Sequence, residues 1–152
     1  MDWHADMSEK ELEEFLHNGI PMTKQMGFSV KEFTPRKVRI EAKLEPNLNN
    51  HSTAFGGSIN SLMTICGWSL VFNNIKRVDP DANLVIQKSS IEYKKPIADD
   101  FTAECEFTDE ADRDRFLETY KRIGKARVEI KVLVKTGEET AADFRGYFVA
   151  FR

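Results

Sequence analysis

Two cysteines in 152 residues, Cys66 and Cys105, are too few for a disulfide framework. A chain of this length removes roughly 68–70% of its unfolded surface from water and has no need of one. Proline (5) and glycine (8) are sparse and never clustered into a linker, no segment repeats, and no tract is of low complexity, so residues 1–152 are expected to form one domain. Positive charge is not in excess either. With 22 Lys and Arg against 25 Asp and Glu, the formal net charge is -3, which excludes the concentrated positive field that nonspecific nucleic-acid or anionic-membrane binding needs. No cationic start followed by an apolar core opens the chain, since Asp2, Asp6 and Glu9 stand among the first residues, and the expected location is cytoplasmic. The longest apolar stretch, residues 58–75, is interrupted by Asn60, Ser61, Thr64, Ser69, Asn73 and Asn74, short of the ~20 apolar residues of a membrane span. No spacing of His, Cys and acidic residues reads as a metal site, and none is expected.

What is present is strong periodicity. Ser8-Glu9-Lys10-Glu11 has the spacing of a capping box, Leu12, Phe15 and Leu16 form an apolar stripe, and Gly19 and Pro21 predict the stop of a short helix at about His17. Alternation at Met26, Phe28 and Val30, then at Val38, Ile40, Ala42 and Leu44, predicts two strands. After a polar loop, residues 59–75 are apolar on nearly every face, which predicts a helix wrapped by the rest of the protein. Residues 84–95, 101–107, 126–134 and 141–151 read as strands. Between the second and third of these, Asp109, the stripe Phe116, Leu117 and Tyr120, and Gly124 mark one more helix with both ends defined. The alternation breaks between Ile86 and Ile91, as at a bulge. The fold class is α+β, a curved antiparallel sheet around one helix.

The segment that can carry chemistry joins the polar loop to the wrapped helix: Asn49-Asn50-His51-Ser52-Thr53-Ala54-Phe55-Gly56-Gly57-Ser58. The free N–H groups of a helix's first turn, with the positive end of its dipole, can hold a carbonyl oxygen or oxyanion, and glycine lets backbone approach a ligand closely. Gly57 is the first candidate donor. Asn60, Ser61 and Thr64 follow it at offsets of three, four and seven, along one helix face. The competing reading is that Gly56 and Gly57 serve close packing and the hydroxyls bond to helix carbonyls. Cys66, two residues past Thr64, and Cys105, alternating with Phe101 and Phe107, read as core residues. Phe55, Trp68 and Phe72 read as core or interface packing, with Phe55 a candidate for lining a pocket.

Thr53-Ala54-Phe55-Gly56-Gly57-Ser58 followed by Gly67-Trp68 resembles the thioesterase family named for the YiiD C-terminal domain, within the hot-dog fold thioesterases. Ile91-Glu92-Tyr93-Lys94-Lys95-Pro96-Ile97 is similar to a strand end of hot-dog domains. The resemblance spans about residues 20–152. It implies a sheet wrapped around a long helix, and acyl-thioester sites formed across the interface of a homodimer or dimer of dimers. It also implies hydrolysis of a small-molecule acyl thioester of coenzyme A or of an acyl carrier protein, with no cofactor beyond the substrate's own carrier. Two departures stand out. Phe55 occupies the place where better-known members have His, and Thr64 the place of their catalytic acid, so the proton acceptor is open.

His51 is the chemical replacement, since a neutral imidazole can activate water near pH 7. Asn49 would then orient the water, Thr64 hold the water or substrate, and Gly57 stabilise the oxyanion. A loop histidine and a turn-forming asparagine are the plainer alternatives. Gln87, Ser89 and Ser90 are further polar candidates on the next strand. Lys121, Arg122, Lys125 and Arg127, the densest positive cluster, are candidates for coenzyme A phosphates or an acidic carrier protein, against the plainer reading of a solvated helix end. The rival to a hydrolase is a catalytically silent acyl-thioester binding or scaffolding module. A hot-dog dehydratase or hydratase is disfavoured, because no acid/histidine pair stands at the motif.

Overall fold

The structure, a computed structural model, describes residues 2–152. Helix α1 (Glu9–Gly19) begins on the predicted capping box, with the Glu11 amide donating to Ser8 Oγ at 3.1 Å and the Ser8 amide to Glu11 Oε1 at 3.3 Å. It runs two residues past the expected end and buries Leu12 and Leu16. A single-turn helix α2 (Thr23–Met26) follows and takes in Met26, the first residue of the alternation, so that the strand starts at Phe28. The strands are β1 (Phe28–Phe33) and β2 (Lys37–Ala42), then β3 (Asn83–Tyr93), β4 (Phe101–Glu106), β5 (Lys125–Thr136) and β6 (Glu139–Phe151). Helix α3 (Gly56–Val78) separates β2 from β3, and α4 (Glu110–Ile123), capped by Asp109 and stopped by Gly124, separates β4 from β5.

All six strands pair antiparallel in the order β1-β2-β4-β5-β6-β3. Because β3 stands at the opposite edge from β1 and β2, the chain between them must cross the whole inner face, and α3 is that crossing. The alternating burial of Val38, Ile40 and Ala42, of Phe101, Ala103 and Cys105, and of Val128 through Val134 supplies the apolar face it rests on. Gly67 brings helix and sheet close, since a Cβ there would stand 3.0 Å from the Phe148 ring. This is the hot-dog arrangement of a curved sheet around a long helix. No helix is long and apolar enough to cross a membrane among the described residues.

One expectation needs correction and a second is narrowed. The wrapped helix begins three residues earlier than its apolar pattern and is not enclosed throughout: Asn60 is exposed, and Gly56, Gly57, Ser58, Ser61 and Thr64 are half-buried. Phe55 is 56% exposed and belongs to no core; of the three aromatic residues read as packing, Phe72 is buried and stacks on the half-buried Trp68 at 4.6 Å. Strand β3 is open on both faces, with only Leu84 and Ile91 half-buried, because it overhangs the edge of the sheet. Its bulge is where the broken alternation predicts it, at Gln87 between Ile86 and Lys88.

Candidate functional site

The loop before α3 is fastened by its own polar groups. Asn49 Oδ1 accepts from the amides of His51 (2.8 Å) and Thr53 (3.1 Å), and its Nδ2 donates to Thr53 Oγ1 at 2.8 Å. The Asn49 amide closes the turn onto the Thr53 carbonyl at 2.8 Å. Asn49 thus holds the loop, in keeping with the plainer reading, while one hydrogen of its Nδ2 is left over. The exposed His51 ring makes no hydrogen bond among the described residues. The loop is tied to the body through the Ala54 amide on Ile97 O (2.8 Å) and the Phe55 amide on Asn47 O (2.7 Å), and Asn47 is itself buried and bonded to Met26 and Lys43 carbonyls.

Phe55 is the N-cap residue of α3, in extended conformation, and offers no side-chain acceptor; no side chain caps the first-turn amides. A helix start without a cap leaves backbone donors at the positive end of the dipole available to an outside acceptor. Two aromatic side chains flank this end. The Phe55 ring lies so close to Gly57 that a Cβ there would stand 2.4 Å from it, so the missing side chain of Gly57 accommodates the protein's own ring. Tyr93 Oη donates to Gly56 O at 3.1 Å, with its ring 3.7 Å from a Cβ position at Gly56. Close packing is therefore one use of both glycines.

One turn beyond Gly57 a polar face begins. Asn60, Ser61 and Thr64 share one side of α3, and Thr64 Oγ1 donates to Asn60 Oδ1 at a long 3.4 Å. These three, with Ile65, form one wall of a cleft of about 260 Å3, whose other wall is Ile20, Met22, Thr23 and Met26. That opposite wall comes from α2 and the turn before it, which carried no functional signal in the sequence. A surface methionine such as Met22 follows no period, and only the tertiary packing reveals what it faces. Tyr93, noted only as part of a strand-end motif, likewise gains a place beside Gly56 only when β3 is paired.

Other candidates do not gather at this site. Helix α4 docks on the far end of α3, through Arg113 Nε on Asn74 Oδ1 (2.6 Å) and Tyr120 Oη on Asp79 Oδ2 (2.6 Å). With 23 residues at about 1.5 Å each, α3 is about 34 Å long, so Lys121, Arg122, Lys125 and Arg127 stand remote from Gly57 of their own chain. They do not form one patch either: Lys121 pairs with Glu118 at 3.2 Å, while Arg127 bonds Gln87 at 3.3 Å and lies over the Tyr147 ring. Lys125 and Arg127 alternate onto the exposed side of β5, a separation that adjacency in sequence conceals. Gln87 belongs with Arg127, and Ser89 and Ser90 are exposed along β3 toward Tyr93.

Cys66 and Cys105 are buried core residues with sulfurs 3.6 Å apart, and burial, with the neighbouring Cys105 thiol, pushes the Cys66 thiol well above its ordinary pKa, so it stays protonated and unreactive. Among the described residues, no group of three or more His, Cys, Asp or Glu is placed to hold a metal ion.

A family model described as "Putative thioesterase (yiiD_Cterm)" matches residues 9–152. Among solved structures, the chain is similar to a protein of unknown function from Chlorobaculum tepidum TLS (TM-score 0.87, 22% identity, 98% of this chain and 99% of that one). It is similar also to a protein described as the putative thioesterase from Shewanella oneidensis (TM-score 0.80, 26% identity, 95% and 97%). A thioesterase from Haemophilus influenzae shares the fold (TM-score 0.76, 12% identity, 100% and 96%).

Proposed function

The chain belongs to the family described as "Putative thioesterase (yiiD_Cterm)", and we propose that it hydrolyses acyl thioesters with their carbonyl oxygen held at the head of α3. The observation that carries this reading is the first turn at Gly57, which no side chain caps, one turn ahead of the cleft face of Asn60, Ser61 and Thr64. In the proposed reaction water attacks the thioester carbon and gives its proton to the neutral His51 imidazole. The Gly57 amide, with Gly56 beside it, stabilises the oxyanion, and collapse expels the thiolate, which takes the proton back. Asn49, with its spare N–H, and the Thr64 hydroxyl orient the water. No cofactor is needed beyond the coenzyme A or acyl carrier protein that bears the substrate, and the proposed setting is the cytoplasm.

We propose a homodimer through β3, on the ground that an edge strand exposed on both faces presents unpaired backbone groups to a second copy. Antiparallel β3–β3 pairing would carry the Asn83 end of one subunit toward the Tyr93 end of the other. That would bring the Lys125 and Arg127 end of one sheet near the helix head of its mate, where the phosphates of a carrier need cations. Further pairing of dimers is compatible with the same strand arrangement.

The test is a panel of acyl-CoAs with a thiol reporter. Turnover that falls at least about a hundredfold in His51→Ala, and drops in Asn49→Ala, supports general-base hydrolysis. A light-scattering mass of one subunit would count against the dimer. The second reading, a silent acyl-thioester binding module, is favoured by Thr64 at the acid position and by a His51 ring with nothing to orient it. Ligand-dependent melting without turnover would decide for it.

A further inference from the structure

The cleft between α2 and α3 has two chemically different walls. On the α3 side stand Asn60, Ser61 and Thr64; facing them are Ile20, Met22 and Met26. The one polar group of the facing wall is already satisfied: Thr23 Oγ1 donates to Ile20 O at 2.8 Å and lies 2.8 Å from His17 Nδ1, which must then be the donor to it. No side chain of that wall has a hydrogen bond left to offer a ligand, and two of its three large side chains are methionines, which adapt their shape to what they cover. Ile20 (42% exposed) and Met22 (67% exposed) form its outer rim, with Met26 buried behind them.

We infer that this cleft holds the acyl chain, that it takes a straight chain of about eight carbons, and that Met22 at its mouth sets the length limit. The inference rests on the thioesterase reading for its starting point, the carbonyl at Gly57. Two measures give the same length. From Gly57 to Thr64 the helix rises seven residues, about 10 Å, and an extended chain advances about 1.2 Å per bond, since three backbone bonds span at most about 3.6 Å. Eight or nine bonds therefore carry a chain from the helix head to the far end of the polar face. The cleft volume of about 260 Å3 agrees, since a methylene group fills much the same roughly 30 Å3 as a water molecule. A much longer chain would leave its end in water. Because the chain lies between a polar face and a sealed apolar wall, each added methylene gains burial only until it passes Met22.

The experiment compares the full chain with Met22→Trp across straight-chain acyl-CoAs from acetyl to palmitoyl, with Ile123→Trp, an exposed site on α4, as the control. kcat/KM should peak near octanoyl-CoA and be at least about tenfold lower for palmitoyl-CoA. Met22→Trp should lower the octanoyl-to-butyryl ratio by about tenfold, and Ile123→Trp should change it by less than about twofold. A second readout uses the octyl and methyl thioethers of coenzyme A, which have no carbonyl to hydrolyse: the octyl compound should raise the melting temperature more than the methyl one, and Met22→Trp should erase the difference. Hydrolysis with a flat length profile that Met22→Trp does not move overturns the inference and leaves the thioesterase reading standing. Melting shifts that depend on chain length and on Met22, with no acyl-CoA hydrolysed, uphold the chain site and overturn hydrolysis.

Discussion

The two ends of α3 obey opposite rules. Toward its C-terminus every polar side chain that is buried has found a partner: Ser69 Oγ donates to Ile65 O at 2.7 Å, and Asn74 Nδ2 donates to Leu70 O (2.8 Å) and Pro35 O (2.9 Å). Asn74 Oδ1 accepts from Arg113 Nε, and Asn73 Oδ1 accepts from Arg77 Nε at 3.3 Å. At its N-terminus the backbone donors lack a side-chain cap, and the polar side chains share one long hydrogen bond. A buried polar group without a partner costs about 1–3 kcal/mol, so one end is built for stability. The other keeps hydrogen-bonding capacity that the chain itself leaves largely unused.

If that contrast is right, substitutions on the two ends should separate stability from activity. The largest loss of stability is expected for Leu70→Ala, since Leu70 is fully buried: about 2–5 kcal/mol in urea unfolding. A loss below about 1 kcal/mol would show that the C-terminal part is not the packed end. Asn74→Leu should cost about 1–3 kcal/mol by the same measurement, because it strands Arg113 Nε and gives up two carbonyl contacts. A third test concerns Tyr120, whose pKa burial and its hydrogen bond to Asp79 push up to about 12. The folded state prefers the neutral phenol, so this contribution is complete below the unfolded value near 10 and is lost as pH rises toward 12. Melting temperature should therefore fall more steeply above about pH 10 in the wild-type protein than in Tyr120→Phe; equal slopes would refute the linkage. Smallest in stability is Thr64→Val, expected within about 0.5 kcal/mol because its one bond is long and half-exposed, yet it should reduce thioester turnover about tenfold or more. If Thr64→Val instead unfolds the protein readily, the open end is structural after all.

Much of the architecture could be read from the residues because it depends on local rules. The capping box at Ser8, the Asp109 cap, the Gly124 stop and the interrupted alternation at Gln87 are each short-range signals, and each is where the pattern predicts. The start of α3 was placed late, since Gly56, Gly57 and Ser58 carry no apolar signal even though they are helical. The candidate site was legible only on the α3 side. Gly57, Asn60, Ser61 and Thr64 share a face by helical geometry alone, whereas Ile20, Met22 and Met26 join them through a turn and a one-turn helix that no periodicity predicts. Lys121 through Arg127 read as one cluster only along the chain: nearness in sequence says little once a helix gives way to a strand, with Lys121 and Arg122 in the last turn of α4 and Lys125 and Arg127 at the start of β5.

The pairing of β3 has a consequence for synthesis. Among the described residues its sole strand neighbour is β6, and Asn83 meets Phe151, 68 residues further on. At about 5–20 residues per second on the ribosome, the strand waits several seconds after it emerges before its mate exists. During that interval Val85, Ile86 and Ile91 belong to an unzipped hydrophobic ribbon, and the arrival of residues 142–151 decides whether it is rescued. Nonsense mutations or proteolytic trimming inside β6 should therefore yield inclusion bodies rather than a shortened native protein.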